Sequence, residues 1–302
     1  MKAFGMTTGT KRLVRARVFM IVAAGIWGSS FVAGRIGVSY LNPILFAFLE
    51  NCIGLAVLFV AMRMLEPKGS GQGVTNILAM PESLLLGSLN AMGFMLQYIA
   101  LSLTTATNTS LLVNAGVPFV PLITWALLKE RVSLRRIGGL LIGVCGAFLV
   151  ATKGQPELLI GGELLGNLSA LGAGISWAFW IVVSQRGLQK TQSPLRLAVG
   201  NGTYTVVTLS LVALVAGPYN LTAVSVLEPW VVLAYLGTMS IGLGYVLYYS
   251  GLREIGGSAS AAYILLQSVV AVALGVVLLA EPLTLAVLIG AVLILLAVVI
   301  AG

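Results

Sequence analysis

The sequence predicts an all-α integral membrane protein with ten transmembrane helices, arranged as two five-helix repeats of inverted topology. Three observations lead to this prediction. First, 59% of the 302 residues are hydrophobic and only 9% are charged, against about a quarter charged in an ordinary soluble domain. Second, long apolar runs recur along the whole chain. Third, the two halves of the chain carry matching residues at a constant spacing.

The apolar runs are separated by proline, glycine, asparagine or charged residues. Each run is continuously apolar, unlike the alternating strands of an outer-membrane barrel, so each is predicted to be a helix. About 20 apolar residues suffice to cross the hydrocarbon core of a bilayer. The predicted spans are 18–38, 43–62, 81–103, 107–128, 136–152, 163–185, 196–216, 229–250, 258–279 and 285–301.

A basic segment, 1–17, precedes the first apolar run. It resembles the start of a signal peptide, but no convincing cleavage site follows and nine further spans do. We therefore interpret 1–17 as a cytoplasmic N-terminal tail. The first repeat then comprises residues 18–152, and the second comprises residues 153–302.

The basic residues indicate how the spans are oriented. With a cytoplasmic N-terminus and ten spans, only Arg35 and Lys153 of the 17 Lys and Arg residues face the outside. This is a strong positive-inside bias, and one span more or fewer in the middle would place a basic cluster on the wrong side. Both termini are therefore predicted to be cytoplasmic, in the inner membrane. The other basic residues are Lys2, Lys11, Arg12, Arg15, Arg17, Arg63, Lys68, Lys129, Arg131, Arg135, Arg136, Arg186, Lys190, Arg196 and Arg253.

The two halves match at an offset of 151 residues without a gap. Matched leucines mean little in so apolar a chain, so the match depends on proline, glycine and glutamate. Because each half has five spans, an odd number, the second half is predicted to be inserted upside down relative to the first. Such inverted repeats are typical of secondary transporters. The matched pairs are Pro43 and Pro194, Ala47 and Ala198, Gly93 and Gly244, Glu130 and Glu281, and Gly139 and Gly290, while Trp27 and Trp177 lie within one residue of the offset.

Four short patterns resemble the EamA-type branch of the drug/metabolite transporter superfamily. They are the run 26–34 in span 1, Pro43 at the start of span 2, the run 97–102 in span 3, and an acidic residue followed by Val-Ser or Leu-Thr after spans 4 and 9. The resemblance implies ten helices in two inverted five-helix repeats and a central cavity. It also implies export or exchange of a small metabolite or drug across the cytoplasmic membrane.

The chain departs from this family in two places. Relatives commonly carry an arginine seven residues after the span-2 proline, where this chain has Glu50, matched by Asn201 in the second half. Relatives also tend to have a proline about a dozen residues before the acidic residue. Pro118 satisfies this pattern, whereas the second half has Ser268 or Val269 there. The substrate is therefore not inferred from relatives.

Glu50 is the sharpest candidate for a transport residue. It lies next to Asn51 and seven residues past Pro43, which places it about 10 Å into the bilayer at 1.5 Å per residue. A carboxylate facing lipid there costs a few kcal/mol, so Glu50 should face the protein interior or a wet cavity. It could bind an amine-bearing substrate or take up a proton during the cycle. The alternatives are an ion pair with Arg35 that joins two helices, or exposure at the outer surface.

Amide and hydroxyl side chains inside the spans form a second group of candidates. Each needs hydrogen-bond partners within the bilayer, so each either bridges helices or lines a cavity. Gln97 and Asn114 are favoured because they lie near the middle of spans 3 and 4. Asn108, Asn114 and Pro118 together indicate that span 4 is locally broken. The group comprises Ser29, Ser30, Asn51, Asn90, Gln97, Asn114, Ser176, Asn201, Thr203 and Gln267.

Aromatic residues inside the spans form a third group. They could make a wall that holds a planar or cationic ligand, and ordinary core packing is the alternative for each. Trp27 and Trp177 are favoured because equivalent positions of the two repeats should meet near the pseudo-two-fold axis. The group comprises Trp27, Trp177, Trp180, Tyr204, Tyr245, Tyr248, Tyr249 and Tyr263.

Several functions are disfavoured by what the sequence lacks. Histidine is absent, so any proton handling must use carboxylates, and neither a metal-ligand cluster nor a cofactor is expected. No phosphate-binding glycine-rich motif occurs, which argues against direct use of ATP. The net charge of +8 is scattered over short connections, which argues against nucleic-acid binding. Glu130 and Glu281 lie at helix ends, where capping or fixing a loop is preferred to substrate handling.

The predicted function is secondary transport by alternating access, with export or exchange of a small metabolite or drug and with protons as a candidate coupling ion. Glu50 is the predicted proton or amine site, and Trp27 and Trp177 the gate or wall. A channel-like facilitator or a scaffold subunit is the alternative, and a membrane-embedded enzyme is disfavoured. The further pathway residues are Asn51, Gln97, Asn114, Asn201, Tyr248 and Gln267.

Overall fold

The computed structural model describes residues 8–66, 73–128, 133–155, 162–191, 193–217, 219 and 225–301, and the regular secondary structure in them is helical. In the first half the helices are α1 (Thr8–Gly37), α2 (Pro43–Leu65), α3 (Val74–Leu78), α4 (Pro81–Leu103), α5 (Ala106–Asn114), α6 (Val120–Leu128) and α7 (Leu134–Thr152). In the second half they are α8 (Gly162–Thr191), α9 (Pro194–Val215), α10 (Leu227–Tyr235), α11 (Gly244–Ile255), α12 (Gly257–Leu279) and α13 (Leu285–Ala301).

Most of these helices can cross a membrane. Within the described residues, seven segments are long and apolar enough: Lys11–Gly37, Pro43–Leu65, Pro81–Leu103, Ala106–Ala126, Glu163–Thr191, Pro194–Val215 and Leu227–Ile255. Three further helices are also apolar but shorter, with 10–17 residues each: Ile137–Thr152, Tyr263–Leu279 and Leu285–Ile300. Because helices satisfy their own backbone hydrogen bonds, they can present this apolar surface to lipid.

Helix ends differ from the predicted spans mainly where charged residues occur. α1 begins at Thr8 and not at residue 18, and α8 extends to Thr191 and not to residue 185. Lys and Arg are good helix formers, so a charge ends an apolar run without ending the helix. The described part of the predicted N-terminal tail is therefore a continuation of the first helix.

Span 4 is broken, as the sequence predicted. α5 ends at Asn114, α6 begins at Val120, and a 3-10 turn that contains Pro118 lies between them. Proline has no backbone N–H and its ring clashes with the preceding turn, so a regular helix does not continue through it. In the second half, where Ser268 or Val269 lies in place of the proline, α12 is continuous. The irregularity of that half is a π-helix, Leu236–Leu243, which joins α10 to α11.

Glu281 caps a helix of the other half. Its side chain is 9% exposed and accepts the backbone N–H groups of Ala106 at 2.7 Å and Thr107 at 2.9 Å, in the first turn of α5. A carboxylate there satisfies two N–H groups that have no partner within the helix and complements the helix dipole. The predicted capping role of Glu281 is confirmed. Its mate, Glu130, lies outside the described residues.

Helices at equivalent positions of the two halves have equivalent neighbours. α1 packs against α11 and α12, and its counterpart α8 packs against α4 and α5. α2 packs against the π-helix, and its counterpart α9 packs against α4. In addition, α2 packs against α9, and α7 packs against α13. The pattern of neighbours is therefore unchanged when the two halves are exchanged.

α2 and its counterpart α9 run in opposite directions. Glu66, at the end of α2, forms an ion pair with Arg196 at the start of α9. Its Oε1 also accepts the hydroxyl of Ser193 at 2.6 Å. Further along α9, Gly202 faces Leu55 and Leu58 in the interior of α2. The two helices thus pack antiparallel.

α7 and its counterpart α13 are also antiparallel. Arg135 near the start of α7 donates to the carbonyl of Val299 near the end of α13, at 3.4 Å. Where the helices cross, a Cβ on Gly146 would lie 2.8 Å from the carbonyl oxygen of Gly290. In lipid no hydrophobic effect drives helices together, so such close contact between small residues is a main source of their association.

Candidate functional site

A cavity lies between the two halves of the chain. Its wall comes from α1, α4, α5 and the 3-10 turn in the first half, and from α8, the π-helix, α11 and α12 in the second. Predicted site residues that line it are Trp27, Gln97, Asn114, Trp177 and Gln267. None of the side chains that form this wall in the described part of the chain is charged.

Aromatic contacts in the wall are the same in both halves. Trp177 packs edge to face against Phe94 with ring centroids 5.9 Å apart, and Trp27 packs edge to face against Tyr245, also at 5.9 Å. Phe94 and Tyr245 are themselves separated by 151 residues. In the described structure the two tryptophans do not stack on each other, although equivalent positions were expected to meet near the axis. Each packs against the opposite half, and both face the cavity.

Each tryptophan lies against a glycine of the opposite half. A Cβ on Gly93 would be 2.6 Å from Trp177 Nε1, and a Cβ on its mate Gly244 would be 2.8 Å from Trp27 Nε1. Carbon–nitrogen contacts this short do not occur without displacement of one group. Only glycine therefore allows these indoles to approach the neighbouring helix so closely, which explains why glycine recurs at this position of the repeat.

Asn90 is one of the intramembrane amides that the sequence does not single out, and it is central to the wall. Its Oδ1 accepts the hydroxyl of Tyr245 at 2.7 Å and the indole N–H of Trp177 at 3.4 Å. Its Nδ2 donates to Thr205 Oγ1 at 3.1 Å. Asn90 precedes Gly93 by three residues, a spacing that places both on one face of a helix. This spacing is the sequence signal that could have identified Asn90 as a residue of the wall.

A second amide network joins α5 to α12. Gln267 Nε2 donates to Asn114 Oδ1 at 2.8 Å, and Asn114 Nδ2 donates to the hydroxyl of Ser268. The Ser268 hydroxyl in turn donates to the carbonyl of Ser110 at 2.9 Å. Asn114 and Gln267 therefore both line the cavity and bridge helices, so the two roles that the sequence allows for them coexist.

Glu50 lies one side chain behind the wall. It is fully buried, and its Oε2 accepts the hydroxyl of Tyr98. The ring of Tyr98 stacks on Phe94, with centroids 6.1 Å apart, and Phe94 lines the cavity. Burial rules out exposure of Glu50 at the outer surface. Arg35 donates instead to the carbonyl of Leu101, and no ion pair between Arg35 and Glu50 occurs in the described structure.

The other predicted residues, Asn51, Asn201 and Tyr248, are buried and do not line the cavity. Asn51 Nδ2 donates within its own helix, to the carbonyl of Ala47 at 2.9 Å. Asn201 Oδ1 accepts the indole N–H of Trp180 at 3.3 Å. Tyr248 packs between Trp27 and Trp180, with centroid distances of 5.1 and 5.3 Å. Asn201 and Tyr248 therefore position the aromatic wall.

Known proteins and a known family resemble this chain over most of its length. The EamA-like transporter family matches twice, at residues 15–152 and 164–302. An uncharacterized transporter of Archaeoglobus fulgidus is 28% identical over 247 residues, covering 80% of this chain and 81% of that protein. The uncharacterized transporter YoaV of Bacillus subtilis is 27% identical over 290 residues, covering 93% and 94%.

One solved crystal structure shares the fold, with a TM-score of 0.65 over 95% of this chain and 96% of that one, at 18% identity. The apolar helices, the doubled family match and the names of the relatives agree with one another. The chain therefore belongs to the EamA-like transporter family and is a multi-pass membrane transporter.

Proposed function

We propose that the protein is a secondary transporter that works by alternating access, with two five-helix repeats rocking around the central cavity. The observation that carries this proposal is the construction of the cavity wall. Both halves contribute a tryptophan, an aromatic partner and a glycine in equivalent contacts. A site made equally by two halves can be opened to either side by moving one half relative to the other.

We further propose ten membrane crossings in two inverted repeats, with both termini in the cytoplasm. The antiparallel contacts of α2 with α9 and of α7 with α13 support inversion, because counterparts in a parallel repeat would run in the same direction. The seven long and three shorter apolar helices support the number of crossings. The distribution of Lys and Arg supports a cytoplasmic N-terminus in the inner membrane.

The proposed cargo is a small amine-bearing metabolite or drug, exported or exchanged, with Glu50 as the proton or amine site. A buried carboxylate needs a cation or a proton to balance its charge. In the described structure, Tyr98 bonds one oxygen of Glu50, whereas Oε1 has no hydrogen-bond partner. A carboxyl group in this position can gain and lose a proton as the cavity opens to one side and then to the other.

Transport is tested with the purified protein in proteoliposomes. Compounds that raise its thermal unfolding temperature in detergent are selected from amino acids, nucleosides and cationic drugs, and a radiolabelled one is used in counterflow. Saturable counterflow supports a transporter with alternating access. Currents far above carrier turnover would instead indicate a channel-like facilitator, and the proposed mechanism would be wrong.

Coupling is tested with Glu50→Gln, which keeps an oxygen that can accept from Tyr98. Proton-driven uptake should be lost and should no longer vary with pH, while counterflow persists. Glu254→Gln is the matched control, because Glu254 ends α11 beside Arg253, away from the cavity wall. An unchanged pH dependence in Glu50→Gln contradicts the proton role.

A further inference from the structure

Most of the hydrogen-bond donors described in the cavity wall already have acceptors within the protein. Trp27 Nε1 donates to the carbonyl of Ser240 at 3.0 Å, and Trp177 Nε1 donates to Asn90 at 3.4 Å. Trp180 Nε1 donates to Asn201 at 3.3 Å. The indole N–H groups around the cavity are therefore engaged by the protein itself.

Hydroxyl and amide donors are engaged in the same way. The Tyr245 hydroxyl donates to Asn90 at 2.7 Å, and the Ser30 hydroxyl donates to the carbonyl of Trp27 at 2.7 Å. The amide nitrogens of Asn90, Asn114 and Gln267 donate to Thr205, Ser268 and Asn114. A ligand carboxylate in this cavity would have to take its donors from bonds that the wall already makes.

An unused acceptor oxygen lies in the wall itself. Gln97 is 3% exposed and lines the cavity, and its Oε1 has no partner in the described structure. Glu50 Oε1, one side chain further back, has none either. Two unpartnered donors, Asn201 Nδ2 and the hydroxyl of Tyr248, belong to residues that pack against Trp180 from outside the lining.

The charge of the cavity wall and its aromatic surface both favour a cationic ligand. No Lys or Arg contributes to the wall in the described part of the chain. Glu50 is separated from the cavity by Tyr98 and by the lining residue Phe94. The faces of Trp27, Trp177 and Trp180 favour a cation placed over them. An ammonium group thus meets favourable partners, whereas a carboxylate meets no cation in the described wall, and most donors there are already engaged.

We propose that the cavity takes aromatic or apolar amines that carry an ammonium group and no carboxylate. The ammonium group is held by Gln97 Oε1 and by Glu50 in its deprotonated form, and the aromatic body by the indoles. This inference rests on the proposed function, because it takes the cavity as the site where the cargo binds. It narrows the cargo from amine-bearing compounds in general to those without an acid group.

Three indole compounds of similar size separate the possibilities: tryptamine, tryptophan and indole-3-acetate. Their affinities are measured by titration calorimetry on the purified protein in detergent, which requires no transport. We expect tryptamine to bind at least about tenfold more tightly than tryptophan, since the zwitterion adds an unsatisfied carboxylate. Indole-3-acetate should bind most weakly. Equal or tighter binding of either carboxylate compound overturns the inference, and so does failure of tryptamine to bind.

Two variants locate the selectivity. Glu50→Gln should weaken tryptamine binding while Glu254→Gln leaves it unchanged, and equal binding by Glu50→Gln contradicts the role given to Glu50. Gln97→Lys places a donor cation at the wall and should favour indole-3-acetate over tryptamine, which gives a second readout if Glu50→Gln is unstable. An unaltered order of affinities in Gln97→Lys contradicts the inference. Tight tryptamine binding without counterflow refutes only the transport mechanism, and counterflow of tryptophan in preference to tryptamine refutes only the substrate class.

Discussion

Replacement of Gly93 by alanine tests whether the tryptophan–glycine contact holds the two halves together. The new Cβ would lie 2.6 Å from Nε1 and 2.7 Å from Cε2 of Trp177. Trp177 is fixed from both sides, by Phe94 and by the bond to Asn90. The ring must therefore move away from α4, which weakens both contacts.

The expected size of the effect follows from comparison with a glycine that has free space. A Cβ on Gly25, within α1, would have no atom within 4 Å. Gly25→Ala should therefore gain up to about 1 kcal/mol, because alanine restricts the unfolded chain and favours helix. Gly93→Ala makes the same gain but adds an overpacking cost of about 1–3 kcal/mol. The two variants should thus differ by about 1–3 kcal/mol in unfolding free energy.

The assay is reversible unfolding in mixed detergent micelles, followed by tryptophan fluorescence. Gly244→Ala should resemble Gly93→Ala, since its Cβ would lie 2.8 Å from Trp27 Nε1. Combining Gly93→Ala with Trp177→Phe should give less than the sum of the two losses, because the smaller ring relieves the clash. If Gly93→Ala is as stable as Gly25→Ala, the proposed close contact does not exist in solution.

Three more predictions concern contacts outside the cavity wall. Glu281→Ala should lower the unfolding free energy by about 1–2 kcal/mol, because α5 loses its cap. Glu281→Gln should lower it less, because the amide oxygen can still accept a hydrogen bond. Equal losses for the two variants in thermal melts would show that the negative charge does not stabilise the helix dipole. Pro118→Ala should slow counterflow without lowering the melting temperature, because it lets the helix of span 4 become continuous. An unchanged rate of counterflow would show that the break in span 4 has no role in transport. A double-mutant cycle of Glu66→Gln and Arg196→Gln should give a coupling energy of about 0.2–1 kcal/mol, since both groups are partly exposed. A value near zero would mean that the ion pair contributes nothing to stability.

Hydropathy and the repeat were enough to predict the helices and half of the wall. Apolar runs locate helices in a membrane protein because the bilayer allows few other structures. The break at Pro118 was predictable since proline disrupts a helix by its covalent structure. Gln97, Asn114 and Gln267 were predictable because polar amides within a span need partners inside the protein.

The aromatic wall was less predictable because composition does not show which face of a helix is turned inward. Phe94 lies in an apolar run and carries no signal of its own, yet it contacts Trp177 directly. Its place is fixed by Gly93, whose missing side chain allows α8 to approach. The π-helix has no local sequence signature, so the use of the Ser240 carbonyl as an acceptor for Trp27 could not be foreseen.

The two halves reach the same packing with different polar groups, and this difference is where selectivity can arise. Trp177 bonds an amide side chain, Asn90, whereas Trp27 bonds a backbone carbonyl in the π-helix. Asn90 is matched at the repeat offset by the apolar Ile241, as Glu50 is by Asn201. Rocking between two states requires only that the packing be similar in both halves. Recognition of a cargo depends on unpaired polar groups in a medium of low dielectric constant, where each is worth more than in water. Substitutions at Glu50 and Gln97 should therefore change which compounds are carried, whereas substitutions at Gly93 and Gly244 should change the stability of the protein and the movement of its two halves.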